Sequence, residues 1–225
     1  MFKPLIAIWK VYKLYLAGVA GYLMGSILTA DLATRAARLT SGKQVDLRAV
    51  GSGNPGAANA IYTLGARWAT AILAGDMAKG AVAAQVGRII AGDSGAYFAA
   101  TAAVAGHCFP AFNGFRGGKG VATSAGTTFV VFPAYVPVDF GVVGVSWVAS
   151  KHTGKATAAG SSLFVLAAFL WKWRRWPTLW GTRPTWGLPL YAIATTAMIS
   201  YRFLSAPKHF GTGPVEPPSK ENPDD

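Results

Sequence analysis

Long apolar stretches separated by short loops rich in Gly, Lys and Arg set the pattern of this chain. A helix of about 20 predominantly apolar residues crosses a bilayer. Stretches of that kind fall at roughly 7–29, 66–91, 95–112, 120–136, 138–150, 157–173 and 185–204. The fourth and fifth are short and meet near Pro133 to Pro137, where proline interrupts a helical ladder. The pattern predicts an all-α protein, a polytopic membrane helix bundle of about seven transmembrane helices, with the termini on opposite sides. Abundant Gly and Ala, as in Ala99 to Gly106, permit close helix contact.

Residues 1–211 read as one integral-membrane domain. From Thr212 to Asp225 the chain is Pro-rich and polar without apolar periodicity, which predicts a disordered tail. Lys3, Lys10 and Lys13 precede the first apolar run, as they would in a signal peptide. The Leu28-Thr-Ala30 stretch lacks the paired small residues of a cleavage point, so the segment is expected to remain as a helix.

Composition sharpens this picture. The 225 residues are 52% hydrophobic and 13% charged, which belongs to membrane proteins rather than soluble domains. A net charge of +12 raises nucleic acid as a partner. The basic residues gather instead in short loops between apolar segments, which suits membrane lipid and anionic substrates. Cys108 stands alone, so no internal disulfide forms. His107, His152 and His209 have no carboxylate cluster beside them, and neither a metal nor another cofactor is expected. No obligate protein partner is evident.

Two glycine-rich stretches carry the candidate chemistry. The second, Gly106 to Thr123, reads GHCFPAFNGFRGGKGVAT, with Gly117, Gly118 and Gly120 around Lys119 and Arg116 alongside. Glycine leaves backbone N–H groups open to a close ligand, successive N–H groups form an anion nest, and lysine adds a mobile charge. That is chemistry for a phosphate. The alternative is a plain glycine-rich turn between helices. The Walker pattern G-x-x-x-x-G-K-[ST] is excluded, because its first glycine would fall on Asn113 and Gly120 stands in the Ser/Thr place. The first stretch, Gly51-Ser-Gly-Asn-Pro-Gly-Ala-Ala-Asn59, formally satisfies G-x-G-x-x-G at Gly51, Gly53 and Gly56. No strand precedes it, since Leu39 to Arg48 is polar and charged, so a dinucleotide site is refused. Asp76 and Lys79 lie three apart on one face of the second span. Charges there usually face the bundle and each other, so they form either a structural ion pair or part of the site.

The pair GSGNPGAAN and GHCFPAFNGFRGGKGVAT resembles the acyl-phosphate-dependent glycerol-3-phosphate acyltransferases, the integral-membrane PlsY family of bacteria. Tyr22 to Ile27 and the Asp76 to Gly80 run share that look, and the resemblance covers roughly residues 15 to 125. It implies transfer of a fatty acyl group from acyl phosphate to glycerol 3-phosphate in the bacterial cytoplasmic membrane. The products are lysophosphatidic acid and phosphate, and no cofactor takes part. By motif position, Ser52, Gly53, Asn54 and Asn59 resemble the family's phosphate-site residues, and Arg116, Gly117, Gly118, Lys119 and Gly120 its second phosphate loop. Ser52 has no adjacent base, so it reads as a hydrogen-bond donor rather than a nucleophile. His107 reads as either a general base or a donor holding the loop. Thr157 stands in the place of a serine the family uses before its sixth span. Placing both loops in the cytoplasm puts the larger share of Lys and Arg there, although the Trp173-Arg-Arg-Trp176 corner then lies outside.

The chain departs from the family at four places. Ala58 replaces a threonine, Tyr62 an arginine important for activity, and Phe203 and Ala206 a functional His and Asn. Tyrosine cannot reproduce the bidentate phosphate contact of arginine. A paralogue acylating another acceptor, and a non-enzymatic phosphate-lipid binder or transporter, therefore stay open as alternatives.

Overall fold

The computed structural model describes residues 3–42, 44–150 and 152–205, so the predicted tail and Ala206 lie outside the described residues. Eight α-helices follow in order: α1 (Lys3–Ser26), α2 (Thr29–Ser41), α3 (Ala57–Thr63), α4 (Ala66–Cys108), α5 (Val121–Val131), α6 (Val136–Ser150), α7 (Thr153–Arg174) and α8 (Gly187–Leu204). α4 is two arms rather than one rod. Its ladder breaks at Ala91 and Gly92, where Gly92 takes φ 64°, and the arms return on each other with Gly87 against Gly95 and Ala99. Counting both arms, the seven predicted spans appear as α1, the two arms of α4, and α5 to α8. The stretches Leu5–Ser41 and Gly154–Arg174 are each long and apolar enough to cross a membrane. α5 and the stretch from Pro133 to Ser150 qualify as a pair, bent by 118°, which is the proline corner read from the sequence.

Small residues decide how the helices approach. Gly18, Gly21 and Gly25 line one face of α1, and a side chain at Gly25 would run into the carbonyl of Ala103. Gly106 meets the backbone of Tyr22 and Ser26 in the same way, so α1 lies almost backbone to backbone on the second arm of α4. Gly80 and Gly126 do the same between the first arm and α5. Large side chains fill the other half of the bundle, where Phe132, Tyr135, Phe164, Leu188 and Tyr191 are buried together. The Tyr191 hydroxyl is satisfied there by Thr127 at 2.6 Å and Thr128 at 3.0 Å. Buried polar groups need such partners when water is excluded. Leu5, Ile8, Val19, Ile89, Val145 and Leu166 stay exposed around the outside, as lipid-facing residues do.

The end of the bundle that carries the α7–α8 connection is closed by it. Arg88 donates to the carbonyls of Trp180 (3.1 Å) and Gly181 (2.7 Å), and Thr182 donates to that of Val131 (2.9 Å). The opposite end gathers both glycine loops. Two elements there differ from the sequence reading. α2 extends helix to Ser41 before Gly42 ends it with φ 67°, and α3 forms directly after the first loop. α2 carries few apolar residues, and its fit depends on small Ala30, Ala33 and Ala37 packing beside Leu47, Ala60 and Ile72. Its mean hydropathy is too low for a membrane span, so a reading for spans passes over it.

Candidate active site

The first loop is held from beneath. Asn59, 3% exposed at the start of α3, donates through Nδ2 to the carbonyls of Leu47 (2.8 Å) and Val50 (3.0 Å). Its Oδ1 accepts the Ser52 N–H at 3.1 Å, so the Asn59 amide is committed to shaping the loop. Gly51 (φ 57°) and Gly53 (φ 65°) take left-handed backbone on either side of Ser52. Ser52, Gly53 and Asn54 are half-buried at the rim, and the Ser52 hydroxyl makes no hydrogen bond among the described residues.

The second loop follows the end of α4 and leads into α5. Gly120 (φ 83°) is the one residue of the GGKG run in left-handed backbone. Gly117 and Gly118 do not have positive φ; they are glycine for lack of room. A methyl on Gly118 would overlap the ring of His107, and one on Gly117 would strike the His107 carbonyl. The Gly118 N–H donates to that carbonyl at 3.1 Å. After Gly120, the first-turn N–H groups of α5 have no helical acceptor and give this end of the helix a partial positive charge.

Two arginines grip the loop. Arg48 donates through Nε to the carbonyl of Arg116 at 3.2 Å, and is itself held by Asp31 at 2.7 and 3.1 Å. Asp31 also accepts from Asn113, so α2 and both loops meet at one carboxylate. Burial lowers the pKa of Arg48, but the hydrogen bonds and charge of Asp31 outweigh it and the net shift is upward. From α8, Arg202 donates to the carbonyls of Gly117 and, at 3.1 Å, Gly118. Nothing in the sequence spacing gives Asp31 or Arg48 a role.

Lys119 reaches over the ring of Phe203, its Nζ 4.1 Å from the centroid. Burial, reinforced by the charge of Arg202, holds it below the ordinary lysine value. No carboxylate pairs with Lys119 or Arg202 among the described residues. An uncompensated pair of cations beside open amides and a helix N-terminus has the chemistry to attract an anion. The side chain of Arg116 is exposed and makes no hydrogen bond among the described residues.

Under the loop lies a buried charge cluster. Lys79 Nζ is 2.8 Å from Asp76 Oδ1, 2.9 Å from His107 Nδ1 and 2.8 Å from the Ile27 carbonyl. His107 Nδ1 is also 3.5 Å from Asp76 Oδ1, a carboxylate oxygen with no aligned hydrogen bond, so charge rather than geometry holds it. The ammonium donates to Nδ1, which leaves the imidazole proton on Nε2, facing Gly118. His107 is 4% exposed, an arrangement that fits the loop-holding alternative. Thr157 shares its surroundings with Val121, directly after the GGKG run. It lines a cavity of about 40 Å3 between α5, α6, α7 and α8, with Ser124, Thr128, Asp139 and Thr195. It sits one turn deeper than Gly154, whose face meets Phe203. Tyr62, in the place of the family arginine, is 65% exposed.

The fold is that of a multi-pass membrane helix bundle, with two glycine loops and uncompensated cations gathered at one end. The chain belongs to the glycerol-3-phosphate acyltransferase family, whose pattern matches residues 15–212. A relative of that name from Thermoanaerobacter pseudethanolicus is 36% identical over 157 residues, covering 69% of this chain and 77% of its own length. One from Rubrobacter xylanophilus is 43% identical over 140 residues, covering 60% and 66%. The crystal structure of PlsY (YgiH), an integral membrane glycerol 3-phosphate acyltransferase, in its glycerol 3-phosphate form superposes with a TM-score of 0.71 at 30% identity, covering 85% of this chain and 88% of that one. Its lysophosphatidic acid form gives 0.69 at 28% identity, covering 84% and 87%.

Proposed function

We propose that the protein transfers a fatty acyl group from acyl phosphate to glycerol 3-phosphate in the bacterial cytoplasmic membrane, with both glycine loops on the cytoplasmic side. The observation that carries the donor is the uncompensated positive charge of Lys119 and Arg202 beside the GGKG amides. The acceptor hydroxyl oxygen attacks the acyl carbon, the acyl carbon–oxygen bond to phosphorus breaks, and the hydroxyl proton leaves on the phosphate. No other co-reactant is needed. The amides of Gly117, Lys119 and Gly120, with the Lys119 ammonium, receive the departing phosphate, whose charge grows as that bond breaks. Ser52 and Asn54, at the rim of the first loop, donate to the second phosphate-bearing substrate. Holding both substrates at one membrane face supplies part of the rate by orientation alone. His107 and Asn59 position the two loops. The half-buried Thr157 hydroxyl, in the cavity that Val121 and Ser124 also line, is a further substrate contact.

The purified protein is expected to release phosphate from palmitoyl phosphate in the presence of glycerol 3-phosphate, and to give no product with palmitoyl-CoA. Equal rates with the two donors would overturn the requirement for a phosphate leaving group. For orientation, single cysteines at Ser41 and Phe112 are expected to react with an impermeant maleimide only in permeabilised cells. Labelling of either in intact cells places the loops outside.

A further inference from the structure

We propose that Arg48 and Arg202 are a pair of positioning residues that fix which side of the second loop faces the phosphate. Three consecutive carbonyls, those of Arg116, Gly117 and Gly118, each accept from a guanidinium: the first from Arg48, the next two from Arg202. In a trans peptide the N–H points opposite to its C=O. Turning these three oxygens onto arginine therefore turns the amides of Gly117, Gly118 and Lys119 away from it. The Gly118 amide is taken by the His107 carbonyl, which pins the loop to the end of α4. The amides of Gly117 and Lys119 have no backbone acceptor among the described residues and are left for an anion. Without the two forks the same three oxygens would be free to rotate inward, where they would repel a phosphate.

The forks come from two separate parts of the chain, the segment after α2 and the end of α8, and are themselves held. Asp31 takes both terminal nitrogens of Arg48 and the Asn113 amide, so the first clamp is tied to α2. Arg202 lies over the Phe109 ring at 5.7 Å, just ahead of the loop. Lysine in either place keeps a charge but loses the planar fork, and at 202 it cannot bridge two carbonyls in one geometry. The proposal rests on reading the loop as a phosphate site, and its test separates the two ideas.

The test compares the full-length parent with Arg202→Lys, Arg202→Met and Arg48→Lys in detergent, by three measurements. Inorganic phosphate affinity is measured by its inhibition of turnover and by 31P NMR titration. Amide hydrogen exchange is followed on peptides covering 114–121. KM for glycerol 3-phosphate and kcat are determined separately. Arg202→Lys and Arg202→Met are both expected to weaken phosphate binding about 10–100-fold, the range for losing a charge-assisted hydrogen bond. Loop exchange should rise and kcat fall, with KM for glycerol 3-phosphate within about twofold of the parent. Arg48→Lys should raise exchange in the same peptides. Parental phosphate affinity and exchange in Arg202→Lys would overturn the clamp, leaving Arg202 as a point charge. Weakened phosphate binding with unaltered exchange would also overturn it, since the arginine would then touch the anion directly. A parent that binds no phosphate by NMR fails at the site reading itself, a result distinct from either.

Discussion

Lys119→Met is expected to lower kcat by about 10²–10³-fold with acyl phosphate, while the KM for the donor changes little. Losing one donor that acts mainly on developing charge typically costs that much. The structure adds a reason for a large effect. Lys119 stands over Phe203 with no carboxylate partner among the described residues, so its charge is not already neutralised in the resting protein. Methionine keeps the packing on the ring and removes the charge alone. Burial and Arg202 hold this ammonium below the ordinary lysine value. The proposed mechanism uses the charged form, so activity should be present at neutral pH and be lost as pH rises through the lowered pKa. The alkaline limb of the kcat profile should accordingly begin below the ordinary lysine range and disappear in Lys119→Met. Near-parental turnover in that variant would mean that the glycine loop is not the reaction centre.

Asp76→Leu is expected to destabilise the protein by about 3–5 kcal/mol, the cost of leaving a buried charge without its partner. Asp76 is 3% exposed, and its loss strands Lys79 beside His107 and the Ile27 carbonyl. The measurement is the melting temperature and monodispersity in detergent. The double variant Asp76→Leu/Lys79→Met removes both charges and should recover most of that loss, because two packed apolar side chains can replace a buried pair at little cost. A single variant as stable as the parent would show that the pair contributes nothing to folding. Activity should not recover with stability in the double variant, because His107 then loses the ammonium that fixes its ring against Gly118.

The membrane architecture was legible because hydropathy is written residue by residue. The seven spans, the proline corner at Pro133 and the break after Ala91 all follow from local runs of side chains. α2 and α3 were not, since their faces are made of Ala and gain apolar neighbours only when α4 packs on them. The Asp76–Lys79 pair was legible from helical spacing. That His107 completes it was not, because Lys79 and His107, 28 positions apart, are brought together only by the fold-back of α4 at Gly92.

The GGKG run shows the division most closely. Its composition suits an anion loop, since glycine bares backbone amides and lysine adds a charge. Left-handed backbone was a reasonable expectation for those glycines, yet only Gly120 has it, and Gly117 and Gly118 answer to the backbone and ring of His107 instead. Composition does not reveal that kind of crowding, which exists only once the end of α4 lies against the loop. The sequence by itself determined a helical membrane bundle, two glycine loops and the chemistry they suit. The tertiary structure decided that Asp31, Arg48 and Arg202, far apart along the chain, converge on three consecutive carbonyls. It also decided that Phe203, a loss when read as a motif position, lies beneath the lysine. Spacing along a chain encodes which residues share a helix face; which faces meet is set by the packing of small residues at Gly25, Gly80, Gly106 and Gly126, and only that packing brings the charges together.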